Sequence, residues 1–372
     1  MKKIVVLVFA FILLMTFAAV PVMADALVIH VYPGQSIQDA IDEASIGAII
    51  IVHEGTYYRS ITIDKELTLI GSGATISAAV GPFPWGVKVI AGGVKISGFT
   101  ITNAAQAGIH LEGSFSGCRI DNNEISQCST GIYIKSASNV DIKDNEIHAF
   151  GHAITVDSGS EISIKNNKIW AGSTYSGVRF SKSSSVEVKG NTVYTSADAV
   201  YFIQGSDVAI KGNILQGRFH GVYIFGMSTA TMGDAEVVDN VIFTSYDSST
   251  LVSSGIVLGW VNNAAVIGNE VLIGANTDPS GNGITLVGST GSTVRDNSVS
   301  GDFMKGIAIS GTATYYSTAN TVIDDIVLGD DRTGNVGIYF NTFTSGNIVV
   351  NNIISGVSLP IQDDSGLNTI LP

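Results

Sequence analysis

The sequence predicts an all-β fold in which short parallel strands stack into a solenoid. The first observation is a frame, apolar–x–apolar–x–x–Asn–x–apolar, that recurs along the chain with Asp325 in the asparagine slot once. Its asparagines are Asn123, Asn145, Asn167, Asn191, Asn213, Asn240, Asn269, Asn297 and Asn352. The second observation is the spacing of 22 to 29 residues, which is typical of repeat architectures. The third is a recurring Gly-Ile-x-Ile segment, whose alternation is typical of a strand with one buried face.

Each repeat therefore contains three predicted strands: the Gly-Ile-x-Ile strand, a strand before the asparagine and a strand after it. Stacked repeats place the aliphatic residues of each strand in inward columns, about 4.8 Å apart. The asparagine lies at the bend between the second and third strands, where it tolerates a left-handed backbone, and stacked copies can bond to each other as a ladder. A leucine-rich repeat has a similar period but needs a leucine-rich consensus that is absent from this sequence.

The first 70 residues contain a predicted signal peptide and the segment that covers the N-terminal end of the stack. Residues 1–26 contain Lys2, Lys3 and a long apolar run, which predicts a secretory signal peptide cleaved after Ala24 or Ala26; an uncleaved membrane anchor is the alternative. The prediction places the protein outside the cytoplasm, secreted or at the cell surface, with no membrane span in the mature chain. Residues 27–70 form a predicted cap and first coil, in which a helix at 36–44 covers the open end of the stack.

Three segments in this part resemble the first coil of a known group. They are 33–41, 53–57 and 67–73, which read PGQSIQDAI, HEGTY and LTLIGSG. Together with the repeats they resemble the right-handed parallel β-helix superfamily, which has the pectate-lyase-like fold, and its secreted NosD-like relatives. The resemblance implies a single-stranded right-handed parallel β-helix over 71–372, of roughly 11–12 coils, with a short N-terminal capping helix.

The composition limits the classes of molecule that the protein is expected to bind. A formal net charge of −13 makes nucleic acid an unfavourable partner, because binding to nucleic acid depends on clustered Lys and Arg. The chain has two cysteines, Cys118 and Cys128. Secretion permits a disulfide, but Cys118 occupies an inward aliphatic slot, and we interpret it as a small buried hydrophobe.

Carbohydrate-active β-helices bind along the outer face of one sheet, so the resemblance directs attention to the outward side chains of the Gly-Ile-x-Ile strands. Between residues 110 and 225 these positions are rich in aromatic and charged residues, which suit sugar rings and hydroxyls. The predicted carbohydrate-binding residues are His110, Tyr133, Lys135, Arg179, Tyr201 and Tyr223, with Trp170 and Tyr194 from the third strand. The alternative is an ordinary exposed sheet, in which aromatics are favoured by cross-strand packing.

The sequence offers only weak candidates for catalysis: Glu112, Asp157 and Arg179. Glu112 and Asp157 are expected two coils apart, about 10 Å, at the limit of the separation that a glycoside hydrolase uses. Motifs of pectin methylesterases and polygalacturonases are missing, so the prediction leans against an enzyme. Ca²⁺ is expected only if the protein is a lyase. The NosD-like resemblance suggests copper, but the scattered histidines predict no metal site and no cofactor.

The C-terminal half has a different outer surface. The outward slot that holds a row of lysines in the earlier repeats, Lys143, Lys165, Lys189 and Lys211, becomes an apolar strip of Val238, Ile267, Ile323 and Val350. The repeats also become longer here, and insertions are expected at 225–235, 243–254, 273–282, 311–319 and 328–336. Either these loops cover the apolar strip, or a homo-oligomer does. Three functions follow: a secreted polysaccharide-binding protein, a polysaccharide lyase or glycoside hydrolase using the same groove, and a surface-layer or self-assembling protein.

Overall fold

The computed structural model describes residues 27–79, 84–227, 232–245, 253–274, 281–331 and 333–372. It is a right-handed parallel β-solenoid, as predicted. The predicted signal peptide, residues 1–26, lies outside the described residues, as do parts of four predicted loops at 228–231, 246–252, 275–280 and 332. Among the described residues, no helix is long and apolar enough to cross a membrane.

One wall of the solenoid is a parallel sheet of 13 strands, which we call the front sheet. Its strands are Ile61–Ile63, Trp85–Val89, Ala107–Glu112, Thr130–Lys135, Ile154–Asp157, Val178–Ser181, Val200–Ile203, His220–Phe225, Ser254–Gly259, Asn282–Val287, Lys305–Ser310, Val336–Phe340 and Leu359–Asp363. The sheet has 13 strands, slightly more than the roughly 11–12 coils expected from the sequence.

The remaining walls form a continuous sheet of 26 strands, the back sheet, with two strands in most coils. Its strands are Val28–Val31, Ala48–Tyr57, Leu67–Ser77, Lys95–Ser97, Thr100–Thr102, Arg119–Asp121, Glu124–Cys128, Ser138–Lys143, Glu146–Ala149, Ser160–Lys165, Lys168–Trp170, Ser184–Lys189, Thr192–Thr195, Ser206–Lys211, Ile214–Gly217, Ala235–Val238, Val241–Thr244, Ala265–Ile267, Glu270–Ile273, Thr293–Arg295, Ser298–Gly301, Thr321–Ile323, Ile326–Leu328, Ile348–Val350, Ile353–Ser355 and Thr369–Ile370. Two short pairs complete the fold: Met232–Gly233 with Val261–Asn262, and Ser317–Thr318 with Thr344–Ser345.

The core consists of the predicted aliphatic columns. The strand before the asparagine stacks Ile120 on Ile142, Ile142 on Ile164, and so on to Val349, and these side chains are at most 1% exposed. Full burial of each such side chain stabilises the fold by about 1.5–3 kcal/mol. The same registers force the intervening residues outward, so the columns inside determine which side chains line up on each outer face.

The asparagine ladder is present along the chain. From Asn145 to Asn297, the Oδ1 of each asparagine accepts hydrogen bonds from the backbone N–H and the Nδ2 of the asparagine one coil earlier, as Asn145 does for Asn123 at 3.0 and 3.1 Å. The Nδ2 of Asn145 also donates to the carbonyls of Ile120 and Lys143, both at 3.0 Å. The ladder therefore satisfies buried backbone groups at every bend, which would otherwise destabilise the fold.

A second ladder was not predicted. Asn320 donates through its backbone N–H and Nδ2 to Oδ1 of Asn347, both at 2.9 Å, and Asn347 donates in the same way to Asn368 at 3.1 and 2.7 Å. These residues occupy the inward slot that holds Cys118, Val140 and their equivalents in earlier coils. The slot becomes polar only near the C-terminal end, so a frame defined by apolar residues does not reveal it.

The N-terminal helix spans Ile37–Glu43, one residue inside the predicted limits at each end. The Oγ of Ser36 accepts a hydrogen bond from the Asp39 backbone N–H at 3.1 Å, as expected of an N-cap. Ile37, Ala40 and Ile41 are buried against the first coil, which gives the helix its covering role. Cys118 and Cys128 are both free thiols and buried, which agrees with the interpretation of Cys118 as a core residue.

Candidate functional site

The outward side chains of the front sheet form one row along the solenoid, which we call the front row. Strand register places Lys88, His110, Tyr133, Thr155, Arg179, Tyr201 and Tyr223 on successive strands. The adjacent outward row contains Glu112, Lys135, Asp157 and Ser181. The structure thus brings six of the eight predicted carbohydrate-binding residues onto one face.

A charged cluster lies at the N-terminal end of this face. The two carboxylate oxygens of Glu112 lie 2.9 Å from Nζ of Lys88 and 3.2 Å from Nζ of Lys135. Hydrogen bonds from these two ammonium groups lower the pKa of Glu112 to about 2. Glu112 therefore remains ionised near neutral pH and is unsuited to act as a general acid. Lys135 also lies between Glu112 and Asp157 in the register, so these carboxylates do not face each other as a catalytic pair.

His110 lies in the middle of this cluster. Its ring packs against the edge of Trp85, with centroids 5.8 Å apart, and stacks on Tyr133 at 5.0 Å. The side chain is only 7% exposed, and burial lowers the pKa of the imidazole. Its Nε2 has no hydrogen-bond partner among the described residues. His110 is therefore a buried, neutral residue, and its Nε2 is not accessible to a ligand on this surface.

A second cluster continues the front row beyond Thr155. The guanidinium of Arg179 lies 6.0 Å from the ring centroid of Tyr201, and the rings of Tyr201 and Tyr223 stack with centroids 5.2 Å apart and planes 4° from parallel. Burial raises the pKa of both tyrosines, so both hydroxyls are protonated and can donate hydrogen bonds at neutral pH. Beside Tyr223, Nδ1 of His220 lies 2.6 Å from Oδ1 of Asp198.

The stacked rings expose their rims more than their faces. Two nearly parallel rings with centroids 5.2 Å apart cannot lie side by side on the sheet, because their facing edges would be closer than the carbon contact distance of about 3.5 Å. Tyr201 and Tyr223 must therefore overlap face to face, and each covers part of the other. A ligand on this surface meets mainly hydroxyl rims, and a free aromatic face exists only at the ends of a stack.

The aromatic surface extends beyond the predicted residues. Tyr223 stacks on Phe225 at 5.2 Å, Phe225 packs against the edge of Trp260 at 4.6 Å, and Trp260 reaches Tyr315 at 6.0 Å. Trp260 follows the strand Ser254–Gly259 in a turn with a positive φ of 51°, so its place in the strand pattern did not identify it. At the preceding Gly259, which pairs with Phe225, any side chain would collide with the Phe225 ring, a contact that the sequence does not show.

Trp170 and Tyr194 belong to a separate surface. They lie on the back sheet, where His148 stacks on Trp170 at 4.2 Å and Trp170 stacks on Tyr194 at 5.7 Å. They share this sheet with the row of lysines, in which Lys165 pairs with Glu187 and Lys211 pairs with Glu236. The eight predicted residues therefore form two sites on different sheets rather than one groove.

The apolar strip of Val238, Ile267, Ile323 and Val350 is half-buried, and three outward residues near it are more exposed. Phe243 is 38% exposed, Leu272 is 40% exposed and Leu328 is 41% exposed. By contrast, the front row beyond Tyr223 is covered: Val257 and Thr285 are 8% exposed, and Ala308 is 1% exposed. Parts of the loops that were expected to cover the strip lie outside the described residues, so that expectation stays a prediction.

Two family descriptions match the chain: "Right handed beta helix region" over residues 85–242, and "Periplasmic copper-binding protein (NosD)" over residues 170–369. A cell surface glycoprotein of Methanothermus fervidus is 41% identical over 91 residues, which are 24% of this chain and 15% of that protein. The chain therefore spans only a small part of this curated relative.

Solved structures resemble the whole solenoid. DFA-IIIase from Arthrobacter chlorophenolicus A6, without its lid and in complex with GF2, has a TM-score of 0.60 at 14% identity, covering 91% of this chain and 99% of that chain. The Dettilon tailspike protein has a TM-score of 0.55 at 16% identity, covering 89% and 68%. The A-module of the mannuronan C-5 epimerase AlgE6 from Azotobacter vinelandii has a TM-score of 0.51 at 15% identity, covering 90% and 93%. These similarities establish the fold.

The donor set does not fit the copper named in the family description. Residues 170–369 contain one histidine, His220, three methionines and no cysteine. His220 is bound to Asp198, and Met232 is 2% exposed in the core. Copper sites require converging His, Met or Cys ligands. Within the described residues there is no group of three or more His, Cys, Asp or Glu that could hold a metal ion, so no step is assigned to copper or Ca²⁺.

Proposed function

The chain belongs to the family described as periplasmic copper-binding protein (NosD), and we propose that this member binds extracellular polysaccharide through the front row, without catalysing a reaction on it. The predicted secreted or cell-surface location agrees with the family description and with the name of the cell surface glycoprotein relative. Several proteins of the same fold carry sugar-related names, including a mannuronan C-5 epimerase, which makes a polysaccharide a reasonable partner for the same surface.

The observation that carries the proposal is the row of outward polar and aromatic side chains from Lys88 to Tyr223 on one sheet, in which His110 and Thr155 are themselves buried. Tyrosine hydroxyls, the Arg179 guanidinium and the lysine ammonium groups present donors to the solvent side at intervals of about 4.8 Å. A linear glycan lying along the solenoid axis offers hydroxyl oxygens at many successive positions, so each coil can contribute a separate contact. Many weak polar contacts of this kind add up without a deep pocket.

The electrostatics favour binding over turnover. The carboxylate of Glu112 is held ionised by two lysines, and Lys135 lies between it and Asp157. Hydrolysis needs a protonated acid and a second carboxylate across the glycosidic bond. A lyase or hydrolase acting on the same face remains the alternative in the enzyme class, and the Asp198–His220 pair is the group on which such an activity would rest.

A binding experiment on an array of neutral and acidic polysaccharides, including mannuronan, tests the proposal. The double variant Tyr201→Ala/Tyr223→Ala is expected to weaken binding at least tenfold, because it removes two hydroxyl donors and the central ring stack. Tyr58→Ala, at a tyrosine that is 62% exposed on the N-terminal part of the chain, is the matched control. Unchanged binding by the double variant would refute the proposal.

Turnover is measured on the bound polysaccharide, by the appearance of reducing ends and of unsaturated products. We expect neither product from the wild-type protein. Turnover that disappears in Asp157→Ala, Arg179→Ala or His220→Ala would replace the binding function with an enzymatic one.

Assembly at the cell surface is a second candidate function, favoured by the exposed apolar side chains of Phe243, Leu272 and Leu328. Light scattering coupled to size-exclusion chromatography tests it with the variant Leu272→Glu. A concentration-dependent oligomer that this variant dissociates supports assembly, and a monomer at all concentrations rejects it.

A further inference from the structure

Asp325 occupies a rung of the asparagine ladder in which an ionised carboxylate has no suitable neighbours. Its side chain is fully buried, and its Oδ1 accepts hydrogen bonds from the backbone N–H and the Nδ2 of Asn297, both at 2.8 Å. This is the role that Oδ1 has in the asparagine rungs from Asn145 to Asn297. The second oxygen, Oδ2, must therefore stand where an asparagine has its Nδ2, and it is buried without a hydrogen-bond partner among the described residues.

The groups around an Nδ2 position in this ladder are acceptors. In the rung of Asn269, Nδ2 donates to the carbonyls of Val237 and Ile267 and to Oδ1 of Asn297. The equivalent acceptors around Asp325 include Oδ1 of Asn352, which already accepts the Asp325 backbone N–H at 2.9 Å. A carboxylate oxygen can only accept, so an ionised Oδ2 faces other acceptors, whereas a protonated Oδ2 can donate to one of them.

The surrounding charges also oppose ionisation. Asp296 on the preceding coil is paired with Arg295 at 3.0 Å, and Asp324 lies next to Asp325 on its own coil. The next coil offers Asn351 and Asn352, which carry no charge. Burial, followed by the charges of Asp296 and Asp324, raises the pKa of Asp325 to about 6, despite the opposing hydrogen bonds from Asn297.

We propose that Asp325 is a protonated rung that makes the C-terminal coils sensitive to pH: the ladder is complete when Oδ2 carries a proton and is broken when the proton is lost. The rungs that consist of asparagine cannot respond in this way, because a side-chain amide does not titrate near pH 6. The device lies between the coil of Asn297 and that of Asn352, so its effect is expected on the coils from residue 321 onward.

The direction of the effect follows from linkage. A carboxyl group whose pKa is raised by folding binds its proton more tightly in the folded state, so it favours the folded state at low pH and loses that contribution as pH rises through about 6. With ordinary and folded pKa values of 3.8 and about 6, the opening equilibrium of these coils should increase about tenfold between pH 5 and pH 8.

Hydrogen exchange of the full chain, followed by mass spectrometry from pH 5 to pH 8 and corrected for the intrinsic exchange rate, tests this proposal. Peptides from 321–355 should lose about tenfold in protection over this range, while peptides from 140–170, where the ladder contains only asparagine, should not. Asp325→Asn should abolish the difference, and Asp324→Asn, at the exposed neighbouring acid, should reduce it only slightly, because burial is the larger cause of the raised pKa.

Carbon-13 NMR of the side-chain carboxyls provides an independent readout of the same group. A carboxyl that titrates near pH 6 in the wild type and is absent from Asp325→Asn supports a protonated rung. Ionisation of Asp325 near its ordinary pKa, or an equal pH dependence of exchange in the wild type and Asp325→Asn, would overturn the proposal.

Discussion

Removing one asparagine from the middle of the ladder should cost far more than removing one from its end. Asn191 is fully buried, and its side chain makes five hydrogen bonds. Its Oδ1 accepts from the backbone N–H and the Nδ2 of Asn167, and its Nδ2 donates to the carbonyls of Ile164 and Lys189 and to Oδ1 of Asn213. No solvent reaches these groups to replace the lost partners.

The magnitude for Asn191→Ala follows from these contacts. The backbone N–H of Asn167 is left without its acceptor inside the core, at a cost of about 1–3 kcal/mol. The other partners keep some of their bonds, because the Nδ2 of Asn167 still reaches two carbonyls and Oδ1 of Asn213 still accepts the backbone N–H of residue 191. Two or three lost bonds at about 1 kcal/mol each bring the total to about 3–6 kcal/mol.

Asn352→Ala is the matched control at the C-terminal end. The Nδ2 of Asn352 donates to the carbonyls of Val322 and Val350, both at 3.0 Å, and its Oδ1 accepts from the backbone of Asp325. This side chain is only partly buried, so water can replace its bonds, and we expect a loss of about 1 kcal/mol.

Urea unfolding followed by circular dichroism, together with hydrogen exchange, measures both variants. Because each coil contacts only its neighbours, the loss in Asn191→Ala should appear first as faster exchange in 160–215. Equal losses at the two positions, or a loss below about 1 kcal/mol at Asn191, would show that the ladder does not stabilise the bends as its hydrogen bonds indicate.

Three further outcomes follow from single residues. Burial raises the pKa of the Cys128 thiol to about 11, so a thiol reagent at pH 8 should label it only after denaturation; rapid labelling of the native protein would contradict the burial. Gly259→Ala should destabilise the protein, because the new methyl group meets the Phe225 ring, whereas Gly233→Ala, with nothing near the new atom, should not; equal Tm values would contradict this. Glu112→Gln should change the free energy of unfolding at pH 7 by less than about 1 kcal/mol, because the ion pairs of Glu112 are solvent-accessible. The wild type should lose this small contribution only as the pH falls towards about 2, the pKa of Glu112. Urea unfolding at pH 7 and near pH 2 measures both effects.

The fold could be predicted because the same local frame recurs in coil after coil. Each inward aliphatic residue restricts the register of its neighbours, since a slip by one residue would turn a whole column outward. That constraint also fixes the front row, which is why the positions of His110, Tyr133, Arg179, Tyr201 and Tyr223 followed from alternation alone.

Features that depend on side-chain conformation or on turns did not follow from alternation. The overlap of the Tyr201 and Tyr223 rings is set by rotamers, which no strand pattern contains. Trp260 joins the aromatic surface from a turn, and the separation of Trp170 from the front row depends on which sheet its strand enters. The second ladder was missed for another reason: Asn320 and Asn347 occupy a slot that is aliphatic in the earlier coils, so the majority pattern concealed it.

The asparagine ladder lies inside the solenoid and stabilises the fold, whereas the front row lies outside and is the proposed binding surface. Inside, the side chains of a coil satisfy the backbone and pack against the next coil, so an inward change such as Asn191→Ala disturbs several coils at once. Outside, Tyr201 or Arg179 can be replaced without breaking any of the buried ladder bonds, so binding can be altered while the scaffold stays folded. Asp325 is the exception that connects the two levels, because a titratable group in the inward ladder allows the acidity of the surroundings to act on the scaffold itself.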